Sequence, residues 1–391
     1  MREEGGCCRR FGHEPHARPH IVWCRRLGQE RANPLGVGES GGRRHATVHV
    51  VHRGELPVKS AIRTLGRTLR PVVSASPWTN VYGMGRTLVA LGTLGTLLFS
   101  STTSLFTPAQ GLPSAPYCSG VANVSAYCLT PAGHLGVAKW VSIAILVAVV
   151  SGWRPRLTAV PHWWVTFSLA SSATIPDGGD QISMNIALLL IPISLTDKRR
   201  WHWTRPALGQ GADRPLAATL AWSAWWVIRL QVAGLYFQAC VAKLSHDEWA
   251  NGTALYYWMN DPLFGLPEWA RGVMEPVLLL PLGVQVLTWG PLVIEFLLFA
   301  GLFMTRRHWS WLLWLGLSLH FGIGLFMGLW SFAFAMFGCL VLYLRPLDRP
   351  LTMPWPRAAN PSKAQATPDT IAPESAPARS LDDALVGEVR S

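Results

Sequence analysis

Apolar residues are grouped into eight runs separated by short polar segments. Each run approaches the roughly 20 residues that an α-helix needs to cross about 30 Å of hydrocarbon. The runs occupy approximately residues 81–100, 135–153, 158–175, 181–197, 217–243, 278–304, 309–327 and 329–345. The sixth is overlong, and Pro276, Pro281 and Pro291 are expected to break or kink it. The pattern predicts an all-α polytopic integral membrane protein with about eight transmembrane helices, and leaves counts of seven or nine open.

Basic residues mark every second segment between these runs. They are Arg63, Arg67 and Arg70 before run one, Arg154 and Arg156 after run two, Lys198, Arg199, Arg200 and Arg205 after run four, Arg306 and Arg307 after run six, and Arg345 and Arg349 after run eight. The intervening segments at 101–134, 176–180 and 244–277 contain a single arginine, Arg271, among several acids. The positive-inside rule therefore places the basic segments and both termini in the cytoplasm.

The composition agrees with a membrane protein. Of 391 residues, 50% are hydrophobic, only 14% are charged, and 20 are tryptophan. The net charge of +12 is concentrated in residues 1–70, which hold 14 Lys and Arg against 6 Asp and Glu. The remaining excess lies between apolar runs, as the positive-inside rule expects. The partner is thus a lipid bilayer, and nucleic acid binding is not indicated.

Three regions follow from the same pattern. Residues 1–74 are rich in Arg, Gly, His and Pro without apolar periodicity, which is typical of a disordered basic leader or of a misassigned start codon. No apolar core follows the charged start, so a signal peptide is not predicted at Met1. Residues 75–346 form the transmembrane domain, and residues 347–391 are expected to be a disordered Pro/Ala-rich cytoplasmic tail.

One apolar run carries ionisable groups at a regular interval. Arg229, Tyr236 and Lys243 are spaced seven residues apart, which places them on one stripe of a helix. Ionisable side chains within lipid cost roughly 2.5–3.5 kcal/mol each on insertion scales, so they are candidates for function. Lys243 either extends to the interface or acts as a base. Arg229 is expected near the middle of the membrane.

Two further candidates lie in later runs. Glu295 needs a partner or a proton, and both an ion pair with Arg229 and a catalytic role are open. His320 is the only histidine in the middle of an apolar run, and it is either a hydrogen-bonded packing residue or a proton carrier. The segment 244–275, dense in aromatic residues, is expected to lie on the outer face as an interfacial helix that covers the polar stripe.

Cysteines and acids add smaller expectations. Cys118 and Cys128 bracket a polar loop on the predicted outer side, where either a local disulfide or two free thiols can occur. Asp177 and Asp180 are expected in a solvated turn or as a helix cap. No metal is expected, because the adjacent His246, Asp247 and Glu248 cannot converge on one ion from a single helix.

The segment RLQVAGLYFQACVAKLSHDEWANGTALYYW, residues 229–258, resembles a known transmembrane module. This module is shared by vitamin K-dependent γ-carboxylases and bacterial horizontally transferred transmembrane (HTTM) proteins. On that resemblance Lys243 falls where the carboxylase keeps its proposed lysine base, Trp249 on its following tryptophan and Gly252 on its glycine. A second segment, SPWTNVYGMGRTLVALGTLGTLLFSSTTSLF at 76–106, resembles more narrowly the sporulation-delaying protein B (SdpB) branch of HTTM proteins.

The resemblance covers about residues 75–346 and implies two functions. The first is a multi-pass factor of the bacterial cell membrane that matures a secreted antimicrobial peptide toxin, together with the toxin precursor and a small companion protein. The second is a membrane enzyme of the carboxylase type, with Lys243 as base and a lipid-soluble quinone as candidate cofactor. A transporter or immunity protein has less support, since no paired repeat of broken helices is present. Whether the chain catalyses a reaction stays open.

Overall fold

The computed structural model describes residues 75–108, 115–174, 177–205, 211–262 and 264–352. The leader predicted at 1–74 and residues 353–391 of the predicted tail lie outside these ranges. Within them the chain forms nine α-helices of twelve or more residues: α1 Asn80–Phe99, α2 Leu135–Ser151, α3 Pro155–Ser172, α4 Gly178–Thr196, α5 Pro215–Leu244, α6 Glu268–Leu279, α7 Pro281–Ala300, α8 Trp309–Met327 and α9 Trp330–Leu344.

Shorter helical segments occupy the connections. They are the α-helical turns Thr102–Leu105, Ala126–Leu129, Asp247–Ala250 and Ala254–Met259 and the 3₁₀ turns Gly120–Val124 and Ala132–His134. The described residues contain no strand, although Trp153 and Trp201 form an isolated β-bridge. The prediction of an all-α membrane protein is confirmed in this coarse form for the described part of the chain.

The helix boundaries follow from local sequence. Helices α3, α5 and α7 each begin with a proline, which lacks the N–H that the first turn would leave unpaired. Helix α2 ends at Gly152 and α8 at Gly328, both with positive φ, as is common at helix ends. Pro281 separates α6 from α7, so the overlong sixth run is broken as expected.

Five helices, α1, α4, α5, α7 and α8, are long and apolar enough to cross a membrane. Helices α2 and α9 are apolar but shorter, and α3 is not among the five. Each of the eight predicted runs coincides with one of these eight helices, and α6 is an additional helix that shares only residues 278 and 279 with the sixth run. The count of eight crossings therefore stays a prediction.

Helices α1, α4 and α9 form the centre of the bundle, with α2 and α3 on one side and α5, α7 and α8 on the other. Helices α1 and α9 pack along most of their length because small residues let their backbones meet. A Cβ added at Gly92 would lie 2.7 Å from the Ser331 carbonyl oxygen, and one at Gly338 2.7 Å from that of Gly85. Substituting either glycine would therefore force the two helices apart.

The basic segments converge on one end of the bundle, called here the basic end. The Arg154 N–H donates to the Arg200 carbonyl at 2.7 Å, and Arg306 pairs with Asp348 at 2.9 Å. Asn80 and Leu351 exchange two 2.8 Å hydrogen bonds. The beginning of α1 and the segment after α9 thus lie together. The opposite end, called the cap end, carries residues 100–108, 115–134, 245–262, 264–280 and 328–331.

His202 closes the basic end between α1 and α2. Its side chain is fully buried, and its Nε2 lies 3.3 Å from the Thr87 hydroxyl. A Cβ added at Gly152 would lie 2.5 Å from the His202 ring, so only glycine fits beside it. Burial, followed by the charges of Arg86 and Arg199, lowers the pKa of His202 well below its usual value. The imidazole is therefore neutral in the folded protein.

Candidate functional site

Helices α5 and α7 run antiparallel and bring Lys243 against Glu295. Their pairing is fixed by the Phe237 and Phe299 rings, whose centroids are 4.9 Å apart, and by Cys240 opposite Leu292. Side chains lean toward the N-terminus of their own helix, so in an antiparallel pair these two lean toward each other. Lys243 Nζ donates to Glu295 Oε1 in an ion pair. The Lys243 side chain is 28% exposed, whereas Glu295 is buried.

Tyr236 lies two turns before Lys243 on the same face of α5. Its hydroxyl is 3.0 Å from His320 Nε2 on α8, and both side chains are buried. Which of these two atoms donates depends on the histidine tautomer. Tyr236 and Lys243 are separated by about 10 Å along α5 at 1.5 Å per residue. The four residues therefore form one polar cluster, called here the α5–α8 cluster.

An aromatic cap covers Lys243 from the cap end. It consists of residues 247–259, and the Trp249 ring centroid lies 5.3 Å from Lys243 Nζ, a cation–π distance. Trp289 on α7 donates to the Trp249 carbonyl at 3.0 Å. Gly252 has φ +78°, and a Cβ there would lie 3.0 Å from Gln285 and 3.1 Å from Trp289. Glycine is required at this position because of the positive φ and because a side chain would collide with Gln285 and Trp289.

The cap differs from the interfacial helix expected over 244–275. It consists of two short helices, Asp247–Ala250 and Ala254–Met259, and the separate α6 follows. The Leu255 N–H donates to the Thr288 hydroxyl on α7 at 3.2 Å, so the second short helix docks on the bundle. Leu255 and Met259 form a small apolar core with residues of α6 and α7. The chain reverses at Gly252, which prevents one continuous helix.

The pair expected between Arg229 and Glu295 is wrong. Arg229 precedes Lys243 by fourteen residues, about 21 Å along α5 at 1.5 Å per residue. It lies level with Trp309, the first residue of α8, and with Tyr343 in the last turn of α9. Its side chain also leans toward the start of α5, away from Glu295. Arg229 is therefore level with the basic ends of α8 and α9, although it is the midpoint of the longer α5, and its depth in a membrane stays a prediction.

Four aromatic rings take the place of a carboxylate around Arg229. Its guanidinium carbon lies 4.0 Å from the centroid of Trp309, 4.8 Å from Trp226, 5.0 Å from Trp225 and 5.5 Å from Tyr343. Within the described residues its Nε and one terminal nitrogen have no hydrogen-bond partner. Cation–π attraction is thus the main favourable interaction that replaces hydration. The adjacent tryptophans at 225 and 226 were a sequence signal for this aromatic cage; Trp309 and Tyr343 were not predictable.

The remaining predicted residues lie elsewhere at the cap end. Cys118 and Cys128 are joined by a disulfide with a Cα–Cα distance of 5.6 Å. Asp180 is only 3% exposed, so the expectation of a solvated turn is wrong for it. Among the residues the structure describes, no group of three or more His, Cys, Asp or Glu side chains could hold a metal ion.

The α5–α8 cluster has unused hydrogen-bonding capacity. Glu295 Oε2 and His320 Nδ1 are buried without partners within the described ranges. Buried polar atoms of this kind are costly unless a ligand, a water or a proton satisfies them. The arrangement can therefore accept a hydrogen bond from a bound substrate or donate one to its carbonyl.

Comparisons with known proteins identify two relatives in Bacillus subtilis strain 168. The chain is 43% identical to the uncharacterized protein YitO over 276 residues, which cover 70% of this chain and 87% of YitO. It is 34% identical to sporulation-delaying protein SdpB over 282 residues, which cover 72% of this chain and 85% of SdpB. No family model matches the chain. No solved structure matches it either.

Proposed function

The chain belongs to the family of sporulation-delaying protein SdpB, and from this membership we propose that it matures a secreted antimicrobial peptide toxin. It does so as an integral factor of the bacterial cell membrane, together with the toxin precursor and a small companion protein. The observation that carries the proposal is the Lys243–Glu295 pair beside Tyr236 and His320. Burying such a cluster within an apolar bundle costs free energy, so it is expected where a function requires it.

In the proposed topology eight helices cross the membrane, with both termini in the cytoplasm. The convergence of the basic segments at one end supports this orientation through the positive-inside rule. It turns the cap end, with the Cys118–Cys128 disulfide, toward the oxidising exterior where disulfides persist. A secreted precursor would then meet the α5–α8 cluster from the outer side, beneath the aromatic cap.

Each residue of the cluster has a role in this proposal. Lys243 presents its terminal nitrogen to the peptide beneath the aromatic cap. Glu295 keeps Lys243 in place and offers its free Oε2 to the substrate. Tyr236 orients His320, whose free Nδ1 provides a second contact. Trp249 and Gly252 position the cap, while Arg229 stabilises the basic end.

The second candidate function is an enzyme of the carboxylase type with Lys243 as base. The observation in its favour is that Lys243, where the resemblance places the base, is held in position by the buried Glu295 beneath the aromatic cap. The cavity beside Trp249, about 550 Å³, is lined by aromatic side chains together with His246 and Glu248, and nothing in it selects a quinone over another apolar ligand. No step is therefore assigned to a quinone.

Mass spectrometry of the secreted peptide tests the proposal. Cells that express the precursor with this protein should release a mature peptide that is absent when the protein is missing. A defined mass difference would identify a reaction, whereas loss of the secreted peptide would indicate processing or export. Release of the identical peptide in identical amounts without the protein would contradict the proposed function.

A further inference from the structure

A second concave site lies at the cap end, separate from the α5–α8 cluster. It is a cleft of about 850 Å³ between the end of α1 and the beginnings of α4 and α9. Its walls are mainly apolar, and Leu98 and Phe99 at its edge are 48% and 91% exposed. This volume falls within the roughly 300–1,000 Å³ typical of sites that enclose a ligand. The cleft has room for a few side chains.

Asp180 places a buried carboxyl group in this apolar cleft. It lines the cleft at the first turn of α4 and is 3% exposed. Its two oxygens share one side-chain donor, the Thr96 hydroxyl, at 3.3 and 3.4 Å. Asp177, also in the lining, accepts a 2.9 Å hydrogen bond from Ser331. Neither carboxylate forms an ion pair within the residues that the structure describes.

The position of Asp180 is built into the fold. A Cβ at Gly179 would lie 2.6 Å from the Cα of Phe332, so only glycine allows the first turn of α4 to approach α9 so closely. Lys139 lies beside the cleft, where its ammonium donates to the carbonyl of Ser100, a lining residue, at 2.7 Å. The N-terminus of α4 offsets part of the cost of burying Asp180. Within the residues that the structure describes, Asp180 lacks the cationic partner that usually accompanies a buried carboxylate.

We propose that this cleft binds a short apolar peptide segment through a single ammonium group that pairs with Asp180. Charge complementarity selects the occupant: the apolar walls fit aliphatic or aromatic side chains, and the carboxylate fits a lysine side chain or a free amino terminus. The choice of a peptide over another ammonium-bearing ligand rests on the proposed function. The cleft is then a docking site for the precursor, distinct from the place where it is changed.

The first turn of α9 connects the cleft to the α5–α8 cluster. Trp330, Ser331 and Phe334 line the cleft, whereas Phe332 between them packs edge-on against His320 at 5.4 Å. A peptide in the cleft therefore lies one layer of side chains away from His320. The peptide would dock against one face of the first turn of α9, and the α5–α8 cluster lies against the opposite face of that turn.

Binding of a synthetic peptide to the full chain in phosphatidylcholine nanodiscs tests this inference. The probe is a fluorescent Leu/Val-rich peptide with one lysine, and the matched probe has norleucine in place of lysine. The lysine peptide should bind about tenfold more tightly or better, as a charge-assisted contact predicts. Asp180→Asn should remove that difference, whereas Glu275→Gln, which removes an exposed acid of α6 at the same end, should preserve it.

Two further measurements separate a specific loss of binding from a loss of folding and from binding of lipid. Leu98→Trp narrows the cleft without touching Asp180 and should weaken both peptides equally, and thermal unfolding identifies any variant that fails to fold. Equal binding of the two peptides to the unchanged chain, or unchanged lysine preference in Asp180→Asn, would overturn the inference. So would loss of peptide binding in nanodiscs of phosphatidylethanolamine, because the lipid ammonium would then be the occupant. The binding measurement does not involve toxin maturation, so its failure and failure of the proposed function are distinguishable.

Discussion

Lys243 donates to Glu295 in the one ion pair that joins two long helices within the described part of the chain. The other two ion pairs lie in the segments at the basic end. The Lys243–Glu295 pair therefore serves either to hold α5 against α7 or to act on a substrate. The two roles predict different behaviour when both charges are replaced together.

Replacing Lys243 alone should destabilise the protein, because Glu295 would remain buried without a cation. Lys243→Met is expected to cost near the lower end of the roughly 3–5 kcal/mol seen for broken buried pairs, since Lys243 is 28% exposed. The double variant Lys243→Met/Glu295→Leu should regain stability to within about 1 kcal/mol of the unchanged protein. Reversible unfolding in detergent micelles measures both. If the double variant were no more stable than Lys243→Met, the pair would stabilise the protein by more than the neutralisation of each charge by the other.

Arg229 is expected to act on stability alone. Arg229→Gln removes the cation from its cage of four aromatic rings and should cost about 1–2 kcal/mol. The matched control is Arg306→Gln, which breaks a partly exposed pair and should change stability by less than about 1 kcal/mol. Unfolding of each variant, with toxin maturation measured per folded molecule, checks this. If the Arg229→Gln protein folded well but did not mature the peptide, Arg229 would have a functional role and not only a structural one.

The orientation can be measured by thiol labelling. In a background without other cysteines, Cys118 alone is exposed in the loop at the cap end, and Arg307→Cys places a matched thiol at the basic end. A membrane-impermeant maleimide added to intact cells should modify Cys118 and spare the thiol at 307. The proposed topology would be inverted if Cys118 reacted only after the cells were opened and the thiol at position 307 reacted in intact cells.

His202 should make stability depend on pH. Burial keeps its pKa well below the unfolded value of about 6.5, so the unfolded chain binds a proton that the folded chain does not. The stability present above about pH 6.5 is therefore lost as the pH falls, by up to about 1.4 kcal/mol per pH unit. The unfolding temperature should fall more between pH 7.5 and 5 in the unchanged protein than in His202→Gln. Equal decreases in both proteins would contradict this origin.

The sequence predicted the helices well because each crossing leaves two signals, an apolar run and its flanking charges. The ends of α8 coincide with the predicted run at 309–327. The grouping of basic segments at one end follows from the same alternation. Pro281 marked the break between α6 and α7 because proline lacks an N–H and favours a helix start.

The pairing of charges could not be predicted because it depends on the relative position of antiparallel helices. Arg229 and Lys243 share one face of α5, and the sequence alone does not tell which of them Glu295 meets. Asp180 was missed for a similar reason, since PDGGD is typical of an exposed turn. Its burial arises from α1 and α9, which are distant in sequence.

The central claim is that Lys243 and Glu295 are needed for peptide maturation beyond their effect on stability. The most direct measurement is the mass and amount of secreted peptide from cells with the unchanged protein, Lys243→Arg or Lys243→Met/Glu295→Leu, normalised to folded protein in the membrane. Both variants should fold, because neither leaves a buried charge unpaired. Neither should yield the mature peptide, because arginine differs from lysine in geometry and in its ability to lose a proton, and the double variant lacks both side chains. Mature peptide of unchanged mass and amount from the double variant would contradict the account.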